Sequence, residues 1–274
     1  MQRFISRKEL IQQIKKKKSM LCVGLDTDMQ KLPIHLARNR KSVIDFNRSI
    51  IEQTQDLCVA YKLNTAFYEA MGEDGWWCMK NTVKLIPEDV FVIADAKRAD
   101  VGNTAGLYAR AFYEDLDANA ITLSPYMGKD SITPFLEYEG KWTILLALTS
   151  NEGAKDFQTK RMKDGSMLYE KVLLTSKGWG SSHNTMYVTG ATKADAFNRI
   201  RKIVPEHFLL VPGVGSQGGN MAEVMANGAT NDGGLLINAS RSIIYSGSGK
   251  DFASEARKEA LKLQNEMQSV FIKQ

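Results

Sequence analysis

The chain has 274 residues, a length typical of one α/β barrel of about 250 residues. Hydrophobic residues make up 43% of the chain and charged residues 24%, which excludes the disordered and fibrous classes. No apolar run approaches the roughly 20 residues that cross a bilayer, and the start of the chain lacks the apolar core of a secretory signal. We therefore expect a cytoplasmic protein with no membrane partner.

The net charge of +5 is modest, and much of it lies in the run Lys15 to Lys18. No aromatic residues are interleaved with this run, as they are in many nucleic-acid-binding segments. We interpret it as the solvated end of an N-terminal helix and expect no nucleic-acid partner.

Cysteine and histidine are scarce, which argues against several kinds of site. The three cysteines have no CxxC spacing and are odd in number, so we expect buried free thiols in a reducing compartment. None of the three histidines lies close to other ligand-type residues in a metal-binding pattern. The sequence therefore offers few residues from which a metal site or a serine–histidine triad could be built.

Eight short apolar, β-branched runs recur along the chain, with a helical stretch after each. They are nearly continuous in apolar character, as parallel strands covered on both faces are. The order predicts an α/β fold, a (β/α)8 TIM barrel forming a single domain over residues 1–274; a doubly wound open sheet is the alternative. The predicted strands are 20–26, 58–64, 90–97, 118–124, 142–150, 185–192, 207–214 and 233–241, and helical stretches include 42–55, 104–116 and 221–227.

The polar segment 151–163 after the fifth predicted strand is longer than most strand-to-helix connections and contains Gly153. A loop of this length above a barrel is typical of a lid or a binding loop. We expect it to cover part of the site.

Active sites of such barrels lie at the carboxyl ends of the strands, so the polar residues that close each apolar run are the candidates. Two lysines and two aspartates among them would meet at one small mouth, where burying a lone charge is costly. The candidates are Asp26, Lys62, Asn64, Asp95, Lys97, Ser124, Thr149, Ser150, Thr192 and Arg241.

The segment IADAKRADVGNTA is the most informative of these strand ends. Side chains alternate along a strand, so Asp95 and Lys97 are expected to point together into the mouth, with Asp100 in the turn that opens the next helix. A purely structural interpretation is also possible, because a salt bridge at the strand end and an acidic residue in the first turn of a helix would produce the same D-x-K-x-x-D pattern. Lys62, at the end of the neighbouring strand, favours the functional interpretation.

A glycine-rich segment, PGVGSQGG, follows the seventh predicted strand. Gly213, Gly215 and Gly218 match GxGxxG, but a dinucleotide site needs that pattern after the first strand of its unit and an acidic residue closing the next strand. Asp232 precedes the next strand here. The glycines fit a phosphate cradle better, with Arg241 as its bidentate cation.

These residues resemble the orotidine 5'-phosphate decarboxylase family, and within it the longer bacterial form. The resemblance covers nearly the whole predicted barrel. Small departures are Ala99, Val101, Asn103 and Ser124, where the family leads us to expect glycine, isoleucine, serine and asparagine. The motifs that carry the resemblance are VGLD (23–26), KLNTAFYE (62–69), DAKRADVGNTA (95–105), SPYMG (124–128), LTSNEGAKDFQ (148–158), VTGAT (188–192), VPGVGSQGG (211–219) and NASR (238–241).

The resemblance implies decarboxylation of orotidine 5'-phosphate to UMP and carbon dioxide without a metal or cofactor. It implies a homodimer in which Asp100 and Thr104 reach into the partner's site. It also implies a charged network of Lys62, Asp95, Lys97 and Asp100. The implied substrate contacts are Asp26 to the ribose, Ser150 to the pyrimidine, Pro212 in the base pocket, Gln217 and Arg241 to the phosphate, and additionally Asn64 and Gly215.

Two other functions are compatible with this pattern. A magnesium-dependent sugar-phosphate decarboxylase or aldolase shares the D-x-K-x-x-D spacing, but it would need an acidic ligand where this chain has Lys62. A catalytically silent nucleotide-binding protein would not need the intact set of lysines and aspartates.

Overall fold

The computed structural model of the chain describes residues 3–191, 194–213 and 220–271. Its centre is a closed barrel of eight parallel strands in chain order. Each strand pairs with the next, and the last pairs with the first through Leu21 and Ile237. The predicted barrel is confirmed, and the open-sheet alternative is wrong. The strands are β1 (Leu21–Gly24), β2 (Ala60–Asn64), β3 (Phe91–Arg98), β4 (Ala120–Leu123), β5 (Trp142–Leu148), β6 (Thr185–Thr189), β7 (Phe208–Pro212) and β8 (Leu235–Ala239).

Every predicted run coincides with one strand, although β3 extends one residue beyond its run and several other strands end earlier than predicted. β6 ends at Thr189 and β8 at Ala239, and Arg241 begins a helix instead of closing a strand. The polar ends of these runs belong to the connections above the barrel.

Helices surround the barrel and alternate with its strands. The predicted helical stretches correspond to the helices Arg40–Thr54, Gly102–Arg110 with the π-helical turn that follows it, and Met221–Gly228. The helices are α1 (Arg7–Lys17), α2 (Arg40–Thr54), α3 (Thr65–Glu69), α4 (Glu73–Val83), α5 (Gly102–Arg110), α6 (Thr133–Leu136), α7 (Leu168–Ser176), α8 (Ala194–Ile203), α9 (Met221–Gly228), α10 (Arg241–Ile244) and α11 (Phe252–Phe271).

Aromatic side chains close the amino-terminal end of the barrel. Phe91, Trp142 and Phe208 begin the alternate strands β3, β5 and β7, and the Trp142 ring contacts the other two edge to face. Alternate strands contribute to one layer in such barrels. The Trp142 indole N–H also donates to the Ile5 carbonyl oxygen at 2.9 Å. A functional opening is therefore left to the opposite end.

The basic run ends α1, and three of its four lysines are exposed, as predicted. Lys17 differs because its ammonium donates to the carbonyl oxygens of Gln55 and Cys58, at 2.8 and 2.9 Å. All three cysteines are buried free thiols, as predicted, whereas their compartment stays a prediction. None of the helices in the described ranges is both long and apolar enough to cross a membrane.

Candidate active site

Three strand ends bring a chain of alternating charges to the open mouth of the barrel. The Lys62 ammonium lies 2.9 Å from Asp95 Oδ2 and 3.5 Å from Asp26 Oδ1. The Lys97 ammonium contacts the other Asp95 oxygen, Oδ1, at 2.6 Å. The Lys62 side chain is 4% exposed and that of Lys97 is 47% exposed, so Lys97 is the cation that faces the mouth.

Lys62 and Asp95, the two most buried residues of this row of alternating charges, both stay ionised. Burial alone lowers the pKa of Lys62, but the carboxylates of Asp95 and Asp26 outweigh it and raise that pKa above its ordinary value. Burial alone raises the pKa of Asp95, but the ammonium groups of Lys62 and Lys97 outweigh it and hold that pKa well below its ordinary value. Both groups are therefore ionised at neutral pH.

Backbone contacts between β1 and β2 position Asp26 beside Lys62. The Asn64 N–H donates to Asp26 Oδ1 at 3.3 Å, and the Leu25 N–H donates to the Lys62 carbonyl oxygen at 2.8 Å. The Asn64 side chain caps α3 by accepting from the Ala66 N–H at 3.2 Å. The structure thus brings Asp26, Lys62 and Asn64 together, as their strand-end positions suggested.

Asp95 and Lys97 meet, but regular strand alternation does not bring them together. The register between β3 and β4 is irregular between Ala94 and Arg98, and Lys97 has a φ of +50°. The Lys97 N–H leaves the strand ladder and donates to Thr122 Oγ1 at 2.9 Å, and Thr122 Oγ1 donates to Asp95 Oδ1 at 2.9 Å. The predicted meeting of the two side chains is confirmed, but a bulge brings it about where regular alternation was expected.

Asp100 and Thr104 lie just beyond β3, on the rim. The Asp100 carboxylate accepts from the Val101 N–H at 2.8 Å, and within the described ranges no ion pair joins it to Lys97. Thr104 is exposed on α5, between the exposed apolar side chains of Val101 and Leu107. A spacing of three residues places these side chains near one another on one face of the helix.

Gly190 allows the ends of β5 and β6 to approach closely. A Cβ at Gly190 would lie 2.7 Å from the Ser150 backbone nitrogen. The segment after β5 is bound to the strand end by Gln158, whose side-chain nitrogen donates to Thr149 Oγ1 at 2.9 Å and whose side-chain oxygen accepts from the Thr149 N–H at 2.7 Å. Ser150 is therefore fixed beside the mouth at the start of the predicted loop, whose role as a lid stays a prediction.

Other predicted residues lie at or just beyond the ends of the remaining strands. Pro212 closes β7, Arg241 is exposed at the start of α10, and the Ser124 N–H donates to the Arg98 carbonyl oxygen at 2.9 Å. A Cβ at Gly24 would collide with Ser240, so glycine there lets the ends of β1 and β8 meet. Four predicted positions, Thr192, Gly215, Gln217 and Gly218, lie outside the described residues.

The sequence matches the family model of the orotidine 5'-phosphate decarboxylase / HUMPS family over residues 19–257. The chain belongs to this family. It is 54% identical over 269 residues to the orotidine 5'-phosphate decarboxylase of Flavobacterium johnsoniae, covering 97% of this chain and 98% of that one. It is 55% identical over 268 residues to the protein of the same name from Christiangramia forsetii, with the same coverage of the two chains.

Solved structures of family members have the same barrel. The Leishmania donovani OMP decarboxylase is 35% identical with a TM-score of 0.80, and the match covers 95% of this chain and 99% of that one. The Plasmodium berghei orotidine 5'-monophosphate decarboxylase is 20% identical with a TM-score of 0.84, covering 97% and 98% of the two chains. The second likeness concerns the fold alone.

Three residues whose contacts shape the mouth of the barrel were missed from the sequence: Thr122, Gln158 and Arg98. The Arg98 guanidinium pairs with Glu69 and stacks on the Tyr108 ring, 5.4 Å from its centre, and so connects the segment after β2 with α5. Gln158 lies inside the predicted loop, and Arg98 lies inside the D-x-K-x-x-D segment, so both had a local signal. Thr122 had none, because a buried threonine in an apolar strand is unremarkable.

Proposed function

We propose that this chain converts orotidine 5'-phosphate to UMP and carbon dioxide, in pyrimidine biosynthesis, using its own side chains and no metal or cofactor. The observation that carries the proposal is the Asp95 carboxylate held between the Lys62 and Lys97 ammonium groups at the open mouth of the barrel. Relatives more than half identical over nearly their whole length carry the name of this activity.

The reaction breaks the bond between C6 of the pyrimidine and its carboxylate, and the bonding electron pair stays on C6. Lys97 donates one of its ammonium protons to C6, and the neutral amine regains a proton from solvent. Asp95 lies beside the point where the substrate carboxylate would be placed, and Lys62 keeps Asp95 ionised. Carbon dioxide and UMP are then the only products.

One lysine does not supply the whole rate enhancement. A pair of unit charges about 4 Å apart is worth roughly 4 kcal/mol at an effective dielectric constant near 20, whereas the largest enzymatic barrier reductions are near 23 kcal/mol. In this proposal the remainder comes from binding the distant phosphate, which closes segment 151–163 and orients the base. Arg241, Gln217 and Gly215 bind the phosphate side of the substrate, and Ser150 and Pro212 contact the base.

Lys62 argues against a resident divalent cation in this mouth. Its ammonium already lies between the Asp26 and Asp95 carboxylates, the oxygens that a magnesium ion would use. Asp26 is left to bind a ribose hydroxyl next to Asn64. We also propose that residues 1–274 form one domain in the cytoplasm. The last helix, α11, packs against α2, and the three free thiols are typical of a reducing compartment.

The decisive test is UMP formation from orotidine 5'-phosphate by the purified protein in excess chelator. We expect one carbon dioxide per UMP and a rate that added magnesium does not change. Orotidine without its phosphate, supplied at the same concentration, should react far more slowly. Absence of UMP, or a rate that requires the metal, would contradict the proposal.

The proposed assembly is a homodimer in which each subunit lends Asp100 and Thr104 to its partner's site. Its support is a set of exposed apolar side chains after the neighbouring strands β3 and β4: Val101 and Leu107 lie three residues to either side of Thr104, and Tyr126, after β4, is 90% exposed. Exposed apolar side chains clustered on one rim are typical of an interface. The dimer would place Asp100 near the Lys97 of the partner.

Subunit mixing tests this sharing. Lys97→Ala and Asp100→Ala homodimers are each expected to be nearly inactive. In a random mixture half of the dimers are mixed, and each mixed dimer holds one intact site, so roughly a quarter of wild-type activity should return. If mass spectrometry shows efficient exchange and activity stays at the level of the separate variants, Asp100 is not shared.

A further inference from the structure

Thr122 lies at the centre of the hydrogen bonds that shape the charged network. It belongs to β4 and is fully buried. Its hydroxyl accepts from the Lys97 N–H and donates to Asp95 Oδ1, both at 2.9 Å. Asp95 Oδ1 is also the oxygen that the Lys97 ammonium contacts at 2.6 Å. One hydroxyl thus touches both the backbone and the charge partner of the proposed proton donor.

The backbone at this point has an unusual conformation. Lys97 is one of three non-glycine residues with positive φ in the described ranges, and its φ of +50° lies in the left-handed region. Three residues of β3, numbers 95–97, lie between the pairs Ala94–Ile121 and Arg98–Leu123, whereas β4 has only Thr122 there. Such a bulge leaves backbone groups without ladder partners, and it persists only where the surroundings hold it.

A hydroxyl meets both needs of this bulge at once. It accepts one hydrogen bond and donates another, whereas an apolar side chain of the same shape would leave the buried N–H of Lys97 without its acceptor and would remove a donor from Asp95. Serine has the same hydroxyl, cysteine is a weak donor and acceptor, and valine has neither capacity.

We propose that Thr122 is a positioning residue for the decarboxylation. Its hydroxyl fixes the left-handed turn at Lys97 and the orientation of Asp95, so that the two lysines contact different oxygens of that carboxylate. Thr122 acts through these two residues and does not touch the substrate. The inference rests on the proposed function for its kinetic consequence, whereas the geometric part stands on the contacts alone.

The experiment compares Thr122→Val, Thr122→Cys and Thr122→Ser with a matched control, Thr143→Val. Thr143 is also a buried barrel threonine, but it lies at the start of β5, and its hydroxyl is 3.4 Å from the Asn184 carbonyl oxygen, ahead of β6. Steady-state rates of UMP formation, direct binding of UMP and thermal unfolding are measured for each variant.

In Thr122→Val we expect kcat to fall about ten- to hundredfold with a KM within about threefold of wild type, since misplacing reacting groups affects the chemical step more than binding. Thr122→Ser should remain within about threefold of wild-type kcat, with Thr122→Cys between serine and valine. A crystal structure of Thr122→Val should show Lys97 out of the left-handed region and its ammonium away from Asp95.

A folded Thr122→Val protein with wild-type kcat overturns the proposal, as does an equal kcat loss in Thr143→Val. If Thr122→Val does not fold, the kcat values of the other two variants test the proposal. A purely steric role would not make kcat higher in Thr122→Ser than in Thr122→Cys, whereas a hydrogen-bonding role would. If the wild-type protein forms no UMP, the proposed function fails, and the Lys97 conformation in the variant crystal still tests this inference.

Discussion

One buried lysine lies at each end of the barrel. The lysine at the mouth contacts carboxylates, whereas the lysine at the closed end contacts mainly backbone carbonyl oxygens. Lys62 at the mouth and Lys141 at the closed end are almost equally buried, with side chains 4% and 3% exposed. Lys62 lies between two carboxylates, which raise its pKa despite burial. Lys141 donates to the backbone carbonyl oxygens of Arg3 and Ala118, at 2.9 and 3.0 Å, and burial lowers its pKa even though Asp117 lies 3.4 Å away.

The closed end repeats this pattern with arginines. Arg201 donates to the carbonyl oxygens of Gly228, His207 and Gly234, and burial lowers its pKa to about 10. Arg3 caps the end of α4 in the same way, through the carbonyl oxygen of Val83 at 3.0 Å. Most contacts of these closed-end cations are therefore with carbonyl oxygens at the ends of helices and strands, with Asp117 as an additional partner, whereas the two lysines at the mouth contact carboxylates and keep them charged. The main partners of a buried cation therefore distinguish the two ends of the barrel: carbonyl oxygens at the structural end and carboxylates at the reactive end.

The largest expected effect is at the mouth. Lys97→Ala should lower kcat by at least about a thousandfold and leave UMP binding largely intact, because Lys97 acts on charge that exists only in the transition state. Lys84→Ala, at an exposed lysine, is the control and should match wild type. Should Lys97→Ala keep more than a few per cent of the wild-type rate, Lys97 is not the proton donor.

Arg241 lies at the same end of the barrel, but its proposed role is to bind the substrate phosphate. Arg241→Ala should lower kcat/KM about a hundredfold with orotidine 5'-phosphate, through loss of a charge-assisted contact to the phosphate. The same variant should barely differ from wild type with phosphate-free orotidine, because that substrate lacks the group that Arg241 binds. An equal loss with both substrates would place Arg241 outside the phosphate site.

The sequence predicted the reactive end better than the closed end. Apolar runs ending in polar residues placed Asp26, Lys62 and Asp95 at one mouth, because parallel strands of a barrel all end on the same side. No pattern in the sequence encodes the bulge that bends Lys97 into a left-handed conformation, since it depends on a hydroxyl from the next strand. Thr122 was therefore out of reach.

The closed end was missed for a related reason. Lys141 and Arg201 bind backbone carbonyl oxygens, which every residue has, so their partners leave no mark in the sequence. The same holds for Lys17, which sequence reasoning placed in solvent with the rest of its basic run. Contacts between charged side chains leave a signature in residue types, whereas contacts to the backbone do not.

A matched pair of substitutions separates the two ends. Lys141→Met should cost about 3 kcal/mol of stability, because it leaves buried carbonyl oxygens without donors, and should leave kcat unchanged in the folded fraction. Lys62→Met should lose activity even where the protein folds, because the ammonium that lies between the Asp26 and Asp95 carboxylates is then missing, and Lys97 contacts only the far oxygen of Asp95. Urea unfolding and UMP formation are measured for both. A folded Lys141→Met protein with a reduced kcat would contradict the distinction between a structural closed end and a reactive mouth.

The smallest expected effect concerns His207, at the closed end. The residue is 9% exposed, and the centre of its ring lies 5.5 Å from that of Tyr187; neither ring nitrogen has a hydrogen-bond partner among the described residues.

Burial and the nearby guanidinium groups of Arg7 and Arg201 lower the pKa of His207 to about 4. Because this folded-state pKa lies below the unfolded value near 6.5, the unfolded chain takes up the proton first as the pH falls, so stability is complete above about pH 6.5 and is lost toward pH 4. Partial solvent access limits the loss between pH 7 and pH 5 to about 1 kcal/mol. His207→Phe retains the aromatic contact and should lose less stability over this range than wild type, with kcat unchanged, whereas His183→Phe, at an exposed histidine, should behave as wild type. Equal pH dependence of urea unfolding in wild type and His207→Phe would mean that His207 takes up its proton equally in both states.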